Sequence, residues 1–165
     1  MRKIIAVAAG LLMLLAVNWS ILGREALLKN GQVVLLDLAP VDPRSLMQGD
    51  YMALRFKVAD QLFGRGVTPK ETEDGRIIVK LDEHGVGNFV RRDDGKPLGA
   101  GEVALRYRIR NSQVKFATNG FFFQEGHASD YQHARYGEFR VAPSGDLLLT
   151  HLRGEKLERL GKPEH

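Results

Sequence analysis

The chain has 165 residues, of which 44% are hydrophobic and 27% are charged. That balance excludes a disordered chain, a collagen-like chain and a polytopic membrane protein. The sequence contains no cysteine, which excludes disulfide bonds, thiolate metal sites and a cysteine nucleophile. Without Arg2 and Lys3, 22 basic side chains stand against 20 acidic ones, so we predict no nucleic-acid partner.

An uncharged apolar run over residues 4–22 follows the basic head of the chain. A helix of that length spans about 28 Å, which is close to the thickness of the hydrocarbon core of a bilayer. Trp19 stands near the far end of the run, where an indole suits the membrane interface. We predict that residues 1–30 form an uncleaved membrane anchor with a juxtamembrane helix, which ends in a left-handed stop at Asn30-Gly31.

A cleaved signal peptide and a helix buried in the protein core are the two alternatives to an anchor. A signal peptide needs small residues three and one positions before the cut, and residues 16–23 offer no well-placed pair. The short N-terminal tail favours a cytoplasmic head. These features predict a single-pass inner-membrane protein whose C-terminal domain is periplasmic.

After Gly31 the hydrophobic pattern changes to the period of two that is typical of β-strands. Frequent turn sequences favour an antiparallel sandwich or a partly open barrel over alternating strands and helices. We therefore predict a mainly β chain: the N-terminal transmembrane helix, a β-rich exported domain over residues 31–153 with one short helix, and a loose charged tail over residues 154–165. The predicted strands cover residues 33–38, 51–58, 76–82, 86–92, 102–110, 114–116, 121–123, 139–141 and 147–152, and the short helix covers residues 129–136, with Ser129 as its cap and Gly137 as its stop.

Residues 42–56 contain the segment most suggestive of a binding site. Gly49 permits a backbone angle that other residues resist, Asp50 can accept hydrogen bonds from backbone amides, and Tyr51 combines an apolar ring with a hydroxyl. The alternative is a strand-entry turn followed by a buried tyrosine. We predict binding roles for residues of this segment and of a later polar segment, namely Asp42, Arg44, Gly49, Asp50, Tyr51, Glu125 and Tyr131.

The sequence Gly49-Asp50-Tyr51-Met52-Ala53-Leu54-Arg55-Phe56 resembles the signature of the GDYXXLXY family, with Phe56 at the position of the second tyrosine. The lead-in over residues 40–45, the Gln124-Glu125-Gly126 sequence and the stretch over residues 134–149 are similar to the family as well. The resemblance covers most of residues 31–152 and implies a membrane-anchored bacterial protein of uncharacterised function. It supplies no catalytic residues, and a phenylalanine at position 56 fits a packing role.

Basic residues alternate along two predicted strands and form a candidate cationic face. Arg106, Arg108 and Arg110 recur at a spacing of two, about 7 Å apart, and Arg55 and Lys57 form a second row. If the strands are neighbours, the rows could merge into a surface for lipid headgroups, an anionic polymer or an acidic partner. The alternative is an ordinary solvated face whose cations pair with Asp and Glu.

Two carboxylates are the weak candidates for catalysis. Asp50 and Glu125 could serve as acid and base on an envelope substrate if they converge in one cleft, about 5–10 Å apart. His127, Asp130 and His133 lie close in sequence but match no metal-site signature, so we predict no metal and no cofactor.

The sequence therefore favours a non-catalytic binding or accessory module at the outer face of the inner membrane, with an integral membrane protein as the predicted partner. It contains no phosphate-binding loop, dinucleotide fingerprint or nucleophile elbow. An envelope hydrolase with paired carboxylates and a module that binds lipid or an anionic polymer are the alternatives.

Overall fold

A computed structural model of the chain describes residues 2–39, 47–48, 51–64 and 72–161. The first element, α1 (Arg2–Asn30), is a continuous helix. Its part Ala9–Asn30 is long and apolar enough to cross a membrane, and none of its apolar window is buried against the rest of the described chain. The predicted N-terminal apolar helix is confirmed. The alternative of a helix buried in the protein's own core is wrong, because the described side chains of the span are exposed.

The rest of the described chain is mainly β, as the sequence predicts. Two short helical segments interrupt the strands: the α-helix α2 (Lys57–Phe63) and a single 3₁₀ turn (Ala128–Tyr131). The strands are β1 (Gln32–Asp37), β2 (Met47–Gln48), β3 (Tyr51–Ala53), β4 (Asp74–Leu81), β5 (Gly87–Arg92), β6 (Glu102–Arg110), β7 (Gln113–Lys115), β8 (Gly120–Phe122), β9 (Tyr136–Val141) and β10 (Leu147–Arg153).

The strands form three sheets in which every strand pair is antiparallel. Their orders are β1-β9-β10, β2-β3-β8 and β5-β4-β6-β7. Backbone hydrogen bonds join the sheets into a half-barrel, which is the partly open barrel among the sequence-based alternatives. The joining bonds run from Leu35 N to Gly85 O, from Ala39 N to Arg55 O and from Arg106 N to Gly145 O, with lengths of 2.9, 2.7 and 2.8 Å.

The core of the half-barrel follows the alternation of its strands. On β6, Leu105, Tyr107 and Ile109 are buried while the intervening arginines face outward, as predicted. β4 departs from strict alternation, because Ile78 is buried as well as its two neighbours. Ile78 lies on the other face of the sheet, opposite Arg91 of β5 and Ala104 of β6.

The strand predicted over residues 51–58 is shorter than expected. β3 ends at Ala53, and α2 begins after Phe56. Phe56 is extended and buried, and it forms a β-bridge with Leu38, which directly follows β1. Val58 and Leu62, four residues apart, both pack on the core from the same helix. The apolar pattern of this segment therefore predicted correctly which residues are buried. It predicted the wrong element, because the buried positions beyond residue 58 follow the helical period.

The short helix predicted over residues 129–136 is confirmed over only part of its length. The structure has the 3₁₀ turn at this place, which begins after His127 without a side-chain cap and ends at Tyr131. Gly137 is a buried residue of β9, where a Cβ would lie 3.0 Å from the ring of Phe56. Glycine at this position therefore serves close packing and does not end a helix.

The described part of the C-terminal tail is packed on the domain. The Leu160 N–H donates to Leu152 O at 2.9 Å, which ties the tail to β10. Gly161 lies against the hydroxyl of Tyr131. These contacts of residues 154–161 differ from the loose tail that the sequence predicts.

Candidate functional site

A groove of about 1090 Å³ lies between the C-terminal half of α1 and the outer face of the half-barrel. Ser20, Gly23, Arg24 and Leu27 form its helix wall. The opposite wall combines polar side chains of β4 and β6 with apolar side chains of β10. Concave sites in which a few polar groups converge are the usual positions of ligand binding, so this groove is the candidate site.

The junction after α1 holds the helix against the sheet. The Gly31 N–H donates to Leu27 O at 2.9 Å, and Arg140 Nη1 donates to Gly31 O at 3.1 Å. A Cβ at Gly31 would lie 2.5 Å from Leu27 O and 3.0 Å from Arg140 Cβ. The predicted helix end at Asn30 is confirmed, but the left-handed stop is wrong, because neither Asn30 nor Gly31 has a positive φ. Glycine is required here by the close approach of the helix and β9.

Arginines of two neighbouring strands dominate the sheet wall of the groove. Arg106 and Arg108 alternate outward on β6, and Arg76 on β4 is the cross-strand partner of Arg106. Arg24 approaches from the helix wall. We call Arg24, Arg76, Arg106 and Arg108 the groove arginines. Their convergence on one cavity gives the site a cationic lining.

Two of the groove arginines are paired with aspartates that also line the groove. Arg76 Nε lies 2.8 Å from Asp93 Oδ2, and Arg106 Nη1 lies 2.8 Å from Asp146 Oδ1. Exposed ion pairs of this kind contribute about 0–1 kcal/mol to stability. Their main effect is therefore to orient the two guanidinium groups.

The other two groove arginines have no carboxylate within 4 Å among the described residues. Arg108 Nη2 donates to Ala117 O over a long distance of 3.4 Å. Arg24 makes no ion pair within the described ranges. Both guanidinium groups therefore retain donors that an external anion can accept.

Arg110, the third arginine of the predicted row, belongs to a different contact. Its Nη1 lies 2.6 Å from Asp74 Oδ1. The hydrogen bond from Arg110 is the main reason that the pKa of Asp74 lies below its ordinary value. Arg110 does not line the groove, so it serves as an internal partner of Asp74.

The second predicted basic row does not join this surface. Arg55 pairs with Asp60 of α2, and Lys57 Nζ lies 3.2 Å from Asp37 Oδ1 at the end of β1. Because α2 replaces the second half of the predicted strand, the two side chains are not neighbours of β6. The expected merger of the two rows is absent, and Arg76 takes the place beside Arg106.

The two predicted binding tyrosines lie on opposite faces of the sheet β2-β3-β8. Tyr51 stands opposite Phe122, with ring centroids 5.8 Å apart. Tyr131 contacts Phe121 and Phe123, with centroid distances of 5.1 and 5.3 Å. Since consecutive residues of a strand point to opposite faces, the tyrosines do not line one pocket.

The remaining predicted binding residues give no shared site within the described chain. Asp42, Arg44, Gly49 and Asp50 lie outside the described residues. Glu125 is exposed in the turn after β8. The convergence of Asp50 and Glu125, on which the hydrolase hypothesis depends, therefore stays a prediction.

The structure also contains a buried ionic cluster that the sequence analysis missed. The Glu138 side chain is 1% exposed and accepts hydrogen bonds from Arg153 Nε at 2.6 Å and from Arg159 Nη2 at 2.9 Å. Burial by itself would raise the pKa of Glu138, but the hydrogen bonds from Arg159 and Arg153 lower it overall. In the sequence, Glu138 is a single acidic residue beside the apolar Phe139. No local pattern indicated that Arg159 folds back to contact it.

His151 lies at the edge of this cluster. Its Nδ1 is 3.8 Å from Glu138 Oε1 and accepts or donates no hydrogen bond within the described chain. Burial is the largest cause that lowers the pKa of His151, and the charges of Arg159, Arg153 and Arg140 lower it further, against the opposite effect of Glu138. Its surroundings therefore favour the neutral form of the imidazole.

The histidine-rich segment after β8 forms a local pair. His127 Nδ1 lies 2.9 Å from Asp130 Oδ2. Across the described residues, no three side chains of His, Cys, Asp or Glu are grouped closely enough to hold a metal ion. We therefore interpret the pair of His127 and Asp130 as a local contact that shapes the 3₁₀ turn.

A comparison with protein families identifies the family of the chain. The family model described as GDYXXLXY protein matches residues 13–152, which is most of the chain. The chain belongs to the GDYXXLXY family. No curated protein and no solved structure matches it significantly.

In this member of the GDYXXLXY family, the last signature position is a packing position. Phe56 is 1% exposed, and its ring meets those of Phe116 and Phe139 edge to face, with centroids 6.1 and 5.3 Å apart. Leu54 of the signature is buried as well. Met52, Leu54 and Phe56 of the signature therefore belong to the core, while the groove is formed by other residues.

Proposed function

We propose that this chain is a single-pass, non-catalytic binding module at the outer face of the inner membrane, and that its groove receives an acidic ligand at the depth of the lipid headgroups. The position of the groove carries the proposal. Its helix wall, over residues 20–27, begins where the uncharged run over residues 4–22 ends. A bilayer around that run would place the groove at the membrane interface.

The charge of the lining supports an acidic ligand. Four arginines and three aspartates line the groove, and two of the arginines have no carboxylate partner among the described residues. Close to an anionic leaflet, each additional cation contributes about 1 kcal/mol to binding. The groove arginines therefore act together with the membrane surface.

The chemistry of arginine supports binding over catalysis. A guanidinium group stays protonated throughout the physiological pH range, so it donates hydrogen bonds but does not exchange protons. Two exposed guanidinium groups that have no carboxylate partner among the described residues can hold an anion in place. They do not supply the general acid, general base or nucleophile that hydrolysis needs.

The exposure of α1 supports an accessory role. The described side chains of the candidate span are exposed except for the half-buried Leu27, so lipid or a neighbouring transmembrane helix would cover them in a membrane. An integral membrane protein is accordingly the partner that we propose for α1.

Photo-crosslinking tests whether the groove is occupied. A photoreactive amino acid replaces Leu148, which lines the groove, and in a matched control it replaces Val90, an exposed apolar residue of β5 outside the groove. The full-length proteins are irradiated in the membranes of the expression host and analysed by intact mass. We expect an adduct specific to position 148, with a yield that falls in the Arg108→Gln background.

A position-specific adduct supports the binding function whether its mass is that of a lipid or of a protein. Equal adduct patterns at positions 148 and 90 would contradict it. An unchanged yield after Arg108→Gln would also contradict it, because the groove arginines would then play no part in occupancy.

A further inference from the structure

We infer that the acidic ligand of the groove is the phosphodiester group of an anionic phospholipid, bound by Arg108 and Arg24, with its acyl chains against the helix wall. This inference rests on the proposed function and names the ligand of the same site. It follows from the free donors of Arg24 and Arg108, from the net charge of the lining and from the open face of α1 that leads toward the bilayer.

The free donors define an anion position. A guanidinium group offers five N–H donors in a planar fork that matches two oxygens of a phosphate. Arg108 commits one nitrogen to the long contact with Ala117 O, which leaves most of its donors available. Arg24 lines the same cavity from α1, and we place one phosphate between the two walls, where it accepts from both side chains.

The net charge of the lining favours an anionic ligand over a neutral or zwitterionic one. Asp93 and Asp146 neutralise Arg76 and Arg106, and Asp74 is held by Arg110. With all three groove aspartates paired, the positive charges of Arg24 and Arg108 have no carboxylate partner among the described residues. The groove therefore matches an anionic phospholipid better than a zwitterionic one, whose headgroup carries its own balancing cation.

The helix wall distinguishes a lipid from a soluble anion. Ser20, Gly23 and Leu27 follow one another at spacings of three and four residues, so they lie on one face of α1. A Cβ at Gly23 would meet no atom within 4 Å, so the space beside the helix is open at this point. An acyl chain can lie in that space and continue down the apolar helix, whereas a free phosphate would make no use of it.

Lipid retention in a defined bilayer tests the inference. Full-length protein is reconstituted in nanodiscs that contain equal amounts of phosphatidylglycerol and phosphatidylcholine, and the lipids that stay bound on release are counted by native mass spectrometry. We expect retained phosphatidylglycerol to exceed retained phosphatidylcholine. Arg108→Gln and, separately, Arg24→Gln should each lower that retention about fivefold, as the loss of one cation at the membrane surface implies.

Arg55→Gln is the matched control, because it removes the same charge from an exposed arginine that pairs with Asp60 outside the groove. Retention by this variant should equal that of the unmodified protein. Circular dichroism separates loss of lipid from loss of fold. Arg24→Gln is a second variant that separates the two losses, because this exposed side chain makes no ion pair within the described chain.

Equal retention of the two lipids would overturn the inference, as would equal losses in the Arg55 and Arg108 variants. Displacement of phosphatidylglycerol by millimolar inorganic phosphate would overturn it too, because the free anion would then be sufficient. If the Leu148 adduct described above forms but no lipid preference exists, the binding function stands and this inference fails.

Discussion

Glu138 and Arg159 form an ion pair that ties the described tail of the chain to the middle of β9. Arg159 Nη2 lies 2.9 Å from Glu138 Oε1, although the two residues are 21 positions apart. The carboxylate is 1% exposed and the guanidinium group is half-exposed. A carboxylate buried in this way depends on its partners, because an unpaired charge in the interior is costly.

Glu138→Gln should lower the free energy of unfolding by about 3 kcal/mol, because it leaves Arg153 and Arg159 without their shared carboxylate. Urea unfolding of the full-length protein in detergent, followed by circular dichroism, measures the change. Asp94→Asn removes an exposed carboxylate that pairs with Lys96 and Arg91, and it should leave the same quantity nearly unchanged. Equal effects of the two substitutions would contradict a structural role for the buried cluster.

His151 should make the protein less stable at mildly acidic pH. Its pKa in the folded chain is lowered below 6.5, so the unfolded chain binds the proton first as the pH falls. The contribution of His151 to stability is therefore complete above about pH 6.5 and decreases below it until the folded site is also protonated. The lowered pKa of Glu138 acts in the same direction, but only in more acidic solution, below 4.5.

Thermal unfolding from about pH 7.5 to about pH 5.5 measures the contribution of His151. We expect His151→Gln to flatten the decrease in melting temperature over this interval. His84→Gln, in the exposed turn between β4 and β5, should leave the decrease as it is. A profile that is unchanged by His151→Gln would show that another group causes the acid sensitivity.

Gly31→Ala should loosen the junction between α1 and the half-barrel. The added methyl group would meet Leu27 O at 2.5 Å, so we expect a loss of about 1–3 kcal/mol of unfolding free energy. Gly23→Ala in the same helix meets no atom within 4 Å and should be neutral or stabilising by up to about 1 kcal/mol. Thermal unfolding of both variants provides the comparison, and a tolerated alanine at position 31 would disprove the close approach.

Trp19 reports whether the anchor is retained, because it is the sole tryptophan of the chain. Cleavage just beyond the apolar run would remove it, so a mature protein with tryptophan fluorescence and the full mass retains its anchor. In vesicles, lipids brominated near the headgroup should quench Trp19 more strongly than lipids brominated at the chain ends. A mature protein without tryptophan emission would support the signal-peptide alternative.

Local patterns were sufficient for the apolar helix, the mainly β class and most strand positions. The β6 strand, Glu102–Arg110, was predicted with its observed bounds, because alternation over nine residues leaves little ambiguity. The segment after Tyr51 was not predicted with its observed bounds. Leu54, Phe56 and Val58 would be buried both in a continuous strand and in a strand that gives way to α2. A short apolar pattern does not distinguish the two periods.

By itself, the sequence determined which residues are apolar, which alternate and where turns interrupt them, because these properties depend on neighbours in the chain. Only the tertiary structure decided which charges meet. Arg76 joins Arg106 because β4 pairs with β6, and Arg159 reaches Glu138 because the tail folds back over β10. Strand register and tail packing depend on long-range contacts, so no local pattern of residues could reveal either the groove or the buried cluster.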